Sequence, residues 1–188
     1  MGRRSGSRRN WTGLTLPASS GNYSFPPGNS AALALTKDTE YALAVVFLNV
    51  PGPVTAVGVN VTTGAASTVV RFGVRSDAGL AYPYPAPTSG LLSDFGTVAT
   101  TGTGWKEVTG LSWTPTAGVV YHFTVTLQTN TGVSVSGLNG QTSPVTSNVA
   151  PAALVLAGYS QTGITGALPT TFSASIATQN VPRIGIKF

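Results

Sequence analysis

Apolar and polar residues alternate at period two along much of the chain, a pattern that predicts strands almost from end to end. The cleanest instance is Val119 to Gln128, with Val119, Tyr121, Phe123, Val125 and Leu127 on one face and His122, Thr124 and Thr126 on the other. Val54 to Thr62 alternates in the same way and is expected to turn Thr55, Val57, Val59 and Val61 inward. Tyr41 to Leu48 is apolar on both sides and predicts a strand buried on two faces, stopped by Pro51-Gly52-Pro53. Thr68 to Arg75, Leu91 to Thr101 and Lys106 to Trp113 extend the series, the last two joined around Gly102-Thr103-Gly104. Three prolines hold Tyr82-Pro83-Tyr84-Pro85-Ala86-Pro87 near polyproline II, which makes it a loop unfit for a central strand.

Helical periodicity is missing. No stretch sustains apolar spacing of helical length with caps, and Ser30 to Leu35 offers one turn at most. Residues 130 to 180 are rich in Thr, Ser, Gly and Asn and predict one or two strands between long loops, with Arg183 to Phe188 pairing into a sheet. Short strands punctuated by Gly and Pro turns point to an all-β fold, an antiparallel β-sandwich of jelly-roll type. Its expected organisation is a basic arm and linker-like lead-in over residues 1 to 30, followed by one sandwich domain over residues 31 to 188. The lead-in carries Trp11, Tyr23 and Phe25.

One run of residues carries a likeness. Arg71-Phe72-Gly73-Val74 is followed by the prolines at 83, 85 and 87, Leu91-Leu92, Gly96-Thr97-Val98, Gly104, Val108 to Leu111, and Gly118-Val119-Val120-Tyr121. This order resembles a jelly-roll module of tailed-bacteriophage virion surface proteins, of the tail-fibre, tail-tip or head-decoration type, and covers about a third of the chain. Two positions depart from it: Arg75 and His122 stand where the pattern has aromatics. The resemblance implies a bacteriophage structural protein exposed on the particle surface, made in the host cytoplasm, with other virion proteins and further copies of itself as partners. The sequence holds no collagen-like or coiled-coil stem, which favours a free-standing particle component over an excised fibre tip.

Composition narrows the picture. At 188 residues the chain suits a single core, yet only 8% of it is charged, far below the roughly 25% of an ordinary soluble domain. A surface so poor in ions packs against other copies without burying unpaired charge. The net charge of +5 is uneven, because Arg3, Arg4, Arg8 and Arg9 lie in the arm and only six basic and five acidic residues follow Asn10. The arm is expected to be disordered until an acidic groove on a neighbouring virion protein captures it, with nucleic-acid phosphate as the lesser alternative. The basic residues are not followed by an apolar h-region, and Tyr41 to Leu48 is too short to span a bilayer, so neither classical secretion nor membrane insertion is expected. The sequons at Asn10, Asn22 and Asn60 then read as accidental.

The chain is poorly stocked for catalysis. It has no Cys, one His and five carboxylates. A glycosidase would need facing acids, and the only pairs on offer, Asp38 with Glu40 and Asp77 with Asp94, read as turn residues and surface charges. His122 reads as a sheet-surface residue, and Asp77 and Asp94 lack the oxygen-rich spacing of a calcium loop. A non-enzyme without cofactor or metal is therefore expected. The alternative function is a carbohydrate-binding module for host-surface adsorption, with Tyr82, Tyr84 and Trp105 as exposed glycan contacts and Trp113 left to the core or a subunit contact.

Overall fold

Where alternation is strict it becomes two faces, and two such surfaces must cover each other. A computed structural model describes residues 15–16, 18–26, 30–77, 87–139, 158–173, 175–177 and 180–188. The regular elements among them are all strands. They are β1 (Thr15–Leu16), β2 (Tyr23–Ser24), β3 (Ser30–Ala34), β4 (Thr39–Phe47), β5 (Val54–Thr63), β6 (Val69–Asp77) and β7 (Pro87–Ala99). There follow β8 (Gly104–Trp113), β9 (Val120–Gln128), β10 (Ser134–Asn139), β11 (Gly158–Thr162), β12 (Ser175–Ala177), β13 (Asn180–Pro182) and β14 (Gly185–Lys187).

The strands form two antiparallel sheets packed as a β-sandwich, with one short parallel pairing of β1 on β4. The first sheet runs β12-β11-β4-β9-β6-β7. In the second, β5 carries β8 on one edge and both β10 and β14 on the other; β3 and β13 continue from β10, and β2 from β14. From β3 to β10 the pairing is nested: β3 with β10, β4 with β9, β5 with β8, β6 with β7. Eight strands so nested place β3-β10-β5-β8 over β4-β9-β6-β7.

The core lies between the sheets. Leu43, Val45 and Phe47 of β4, Phe72 and Val74 of β6, and Phe123, Val125 and Leu127 of β9 face Val57, Val59 and Val61 of β5, Val135 of β10 and Ile186 of β14. Phe123 is its hub: its ring meets Phe47 edge-on at 6.0 Å and Trp113 at 5.8 Å. Trp113 is thus a partly buried core residue.

Several local expectations change. Ser30 to Leu35 forms no helical turn, because β3 pairs along β10 from Ala34↔Ser134 to Ser30↔Leu138. On β5 a register shift between Val54 and Ala56 turns Val54 inward, fully buried, in place of Thr55. Residues 15–16 and 23–24, expected in the lead-in, pair with β4 and β14 and so belong to the sheets. The described part of residues 130 to 180 holds β10, β11 and β12, with β13 starting at Asn180, because polar strands can pair wherever a neighbouring edge offers backbone partners. The prediction that Arg183 to Phe188 pairs into a sheet is met by β14 on β5 and β2.

Replacing the fully buried Phe123 by Ala should cost about 3–5 kcal/mol in urea unfolding. Val119→Ala changes a residue of the same sequence alternation that is 40% exposed, and it should stay within about 0.5 kcal/mol.

Candidate functional site

The polar face of the first sheet is covered. Register aligns Glu40, Thr126 and Arg71 in one row across β4, β9 and β6, then Ala42, Thr124 and Gly73, then Ala44, His122 and Arg75. A strap of residues 163 to 173, between β11 and β12, folds over these rows and buries Ile164, Leu168 and Phe172. Gly73 makes its seat, since a β-carbon there would collide with the Leu168 side chain. Ile164 N donates to the Asp38 carbonyl at 2.9 Å, and Gln128 Nε2 donates to the carbonyls of Ile164 at 3.3 Å and Gly166 at 2.5 Å.

Beneath the strap lie ions. Arg75 grips Glu40 through Nε–Oε1 at 2.8 Å and Nη2–Oε2 at 2.9 Å, and neither side chain has any exposure. Arg75 Nη2 also donates to the Pro169 carbonyl at 2.9 Å, and its guanidinium lies 5.0 Å from the Phe172 ring centre. Gln161 Nε2 donates to Glu40 Oε2 at 2.6 Å while its Oε1 accepts from Ser173 N. Arg71 Nη1 donates to both oxygens of Asp94, at 2.9 and 2.7 Å, and Asp94 also accepts from Gly96 N and Leu168 N. Arg75 Nη1, His122 Nδ1, Thr124 Oγ1 and Thr126 Oγ1 are buried there with no hydrogen-bond partner among the described residues.

These contacts correct the reading of Glu40, Asp77 and Asp94 as turn and surface charges, whereas Asp38 does stand at a turn, beside the exposed Lys37. Glu40 is fully buried, Asp94 is filled by four donor contacts that leave it unlike a cation ligand, and Asp77 accepts from His122 Nε2 at 3.0 Å. Neither proposed acid pair is brought together as free facing carboxylates, because each member is engaged by a different group. Nor is His122 on an open surface. It does occupy the polar face of β9, but its side chain has no exposure and its ring meets that of Tyr159 on β11 at 6.2 Å. Burial holds the imidazole below its ordinary value near 6.5, against the opposing pull of the Asp77 hydrogen bond and charge. Neutral, the ring places its proton on Nε2, facing Asp77. The two departures from the aromatic pattern, Arg75 and His122, are register partners.

The second sheet has a different outer face. Trp105 of β8 pairs with Asn60, and its indole spans β5 and β14: a β-carbon on Gly58 would lie 2.7 Å from the ring, and one on Gly185 2.6 Å. Tyr23 and Phe25 meet it nearly edge-on, with centroids at 5.0 and 5.7 Å. Trp105 Nε1 donates to Glu107 Oε2 at 2.9 Å. Of the expected glycan contacts, then, Trp105 is half-buried in an aromatic cluster instead of exposed at a turn, and Tyr82 and Tyr84 lie outside the described residues. So do Arg3, Arg4, Arg8 and Arg9 of the arm. Tyr23 and Phe25 were legible only as lead-in aromatics, and nothing in the local pattern brings them beside Trp105.

Among the described residues no group of three or more His, Asp or Glu side chains is placed to hold a metal ion. Comparison with protein-family models, curated proteins and solved structures finds no match to the chain.

Glu40→Gln leaves the Arg75 charge buried and unpaired and should cost about 3–5 kcal/mol in urea unfolding. Disrupting the exposed Lys37–Asp38 pair with Lys37→Ala should cost less than about 1 kcal/mol. The lowered His122 value also sets a pH dependence. Above about pH 6.5 both states are neutral and His122 has no effect; as pH falls from there towards the folded value, the unfolded chain takes up a proton that the folded one refuses. Stability should therefore drop as the pH is lowered through about 6.5 in thermal melts, and His122→Asn should flatten that part of the profile.

Proposed function

We propose that the chain is a bacteriophage virion structural protein, exposed on the particle as a head-decoration or tail component, and that it acts by contact instead of turnover. The nested order β3-β10-β5-β8 over β4-β9-β6-β7 supports reading the sandwich as a jelly roll. Residues 71 to 74, 91 to 98, 104 to 111 and 118 to 121, which carry the likeness to phage surface proteins, fall on β6, β7, β8 and β9 and on the turn before β9.

The observation that carries the proposal is how charge is distributed. Four carboxylates of the body face a cation or His122 and the fifth, Glu107, accepts from Trp105. Much of what remains at the surface is small and uncharged, as along β3, where Ser30, Ala31, Ala32 and Ala34 are exposed. Such faces pack against further copies with little cost of ion desolvation, and a closed symmetric oligomer is the arrangement expected of them. In this reading Arg3, Arg4, Arg8 and Arg9 fasten the body to an acidic groove on a neighbouring virion protein.

Immunogold labelling of purified particles with antibody to this chain should place gold on the head or the tail. Unlabelled intact particles, with the protein free in the lysate, would overturn the proposal. Deleting residues 1 to 10 should release the protein from particles while leaving its circular-dichroism spectrum unchanged.

A further inference from the structure

From the outer face of the second sheet we infer a binding site for an acidic saccharide, formed by Tyr23, Phe25 and Trp105 with Arg183 and Lys187. It is an activity separate from particle assembly, since a sugar held here requires no neighbouring virion protein.

Charge singles out the place. Of the six cations that follow the arm, Lys37, Arg71 and Arg75 are paired with carboxylates. Lys106, Arg183 and Lys187 have no carboxylate partner among the described residues, and two of those three sit over rings of the cluster. The Arg183 guanidinium lies 5.2 Å from the Phe25 centroid, and Lys187 Nζ lies 5.5 Å from that of Tyr23. Phe25 is 38% exposed, while Tyr23, Trp105, Arg183 and Lys187 are half-buried. The excess positive charge of the folded body therefore collects on an aromatic patch reachable from solvent.

Rings, cations and hydroxyl partners together match one ligand chemistry. A pyranose offers apolar C–H faces to aromatic rings, a uronate-type carboxylate pairs with guanidinium or ammonium, and its hydroxyls need amide and carboxylate partners. Those partners are present. Glu107 is bonded to Trp105, and Asn60, the register partner of Trp105, donates to Ser136 Oγ at 3.1 Å on an exposed part of the same face. Single-stranded nucleic acid also uses rings and cations, but it requires flat stacking surfaces and a continuous basic track. Here the rings meet Trp105 edge to face, and the two cations stand over separate rings, Arg183 over Phe25 and Lys187 over Tyr23, instead of along a continuous track.

The test is calorimetric titration of the full chain with galacturonate oligomers, neutral cello-oligosaccharides and oligothymidylate. Galacturonate should bind at least about tenfold more tightly than the neutral sugar, and added salt should weaken it. The double variant Arg183→Gln, Lys187→Gln keeps all three rings and should lose about tenfold or more of that affinity with an unchanged thermal melt. In nuclear magnetic resonance spectra of the unaltered chain, galacturonate should shift the Trp105 indole N–H, a readout that needs no variant to fold. Absence of galacturonate binding, equal binding of the neutral sugar, tighter binding of oligothymidylate, an affinity untouched by the double variant, or shifts centred away from Trp105 would each overturn the inference.

Discussion

A guanidinium and a carboxylate with no exposed surface stand on β6 and β4, with β9 between them, and the architecture of the first sheet follows from keeping them paired and dry. Uncovered, the pair would be an ordinary solvated bridge of little consequence. Covered, it draws on the neighbours within reach: Gln161 comes from β11, and Pro169 and Phe172 come from the strap that covers it. The pair holds the strap and the strap holds the pair. This reciprocity explains why β4 and β9 are buried on both faces although one face of β9 is Thr and His.

Coverage also alters the meaning of the departures at Arg75 and His122. In a pattern with aromatics at both positions, two rings would meet across β6 and β9 and bury themselves by area alone. Here the same register partners are polar, and they draw on Glu40 and Asp77 for satisfaction. Glu40 has no exposure at all, and Asp77 and Asp94 are mostly buried against their partners. The outside is correspondingly uncharged, and the unpaired positive charge of the folded body gathers beside Trp105. Interior electrostatics and surface character are thus two sides of one allocation.

The all-β class, most of the strands, and the inward faces of β9 from Tyr121 and of β5 from Val57 were legible in the sequence, because alternation at period two is a local property that the backbone turns directly into geometry; Val119 and Thr55 break that pattern in the structure. The sequence also marked Trp113 for the core or a contact, and it placed His122 correctly on the polar side of its strand. That this polar side is buried follows from the packing of distant segments over it. Residues 163 to 173 show no alternation, and their apolar members Ile164, Leu168 and Phe172 gain meaning only when Gly73 offers a seat across the sheet. The ion pairs join residues 35 and 23 positions apart, and Trp105 meets Tyr23 across 82. Strand order sets such distances in space and sequence spacing does not, so a pattern read along the chain could give each residue its face but not its partner.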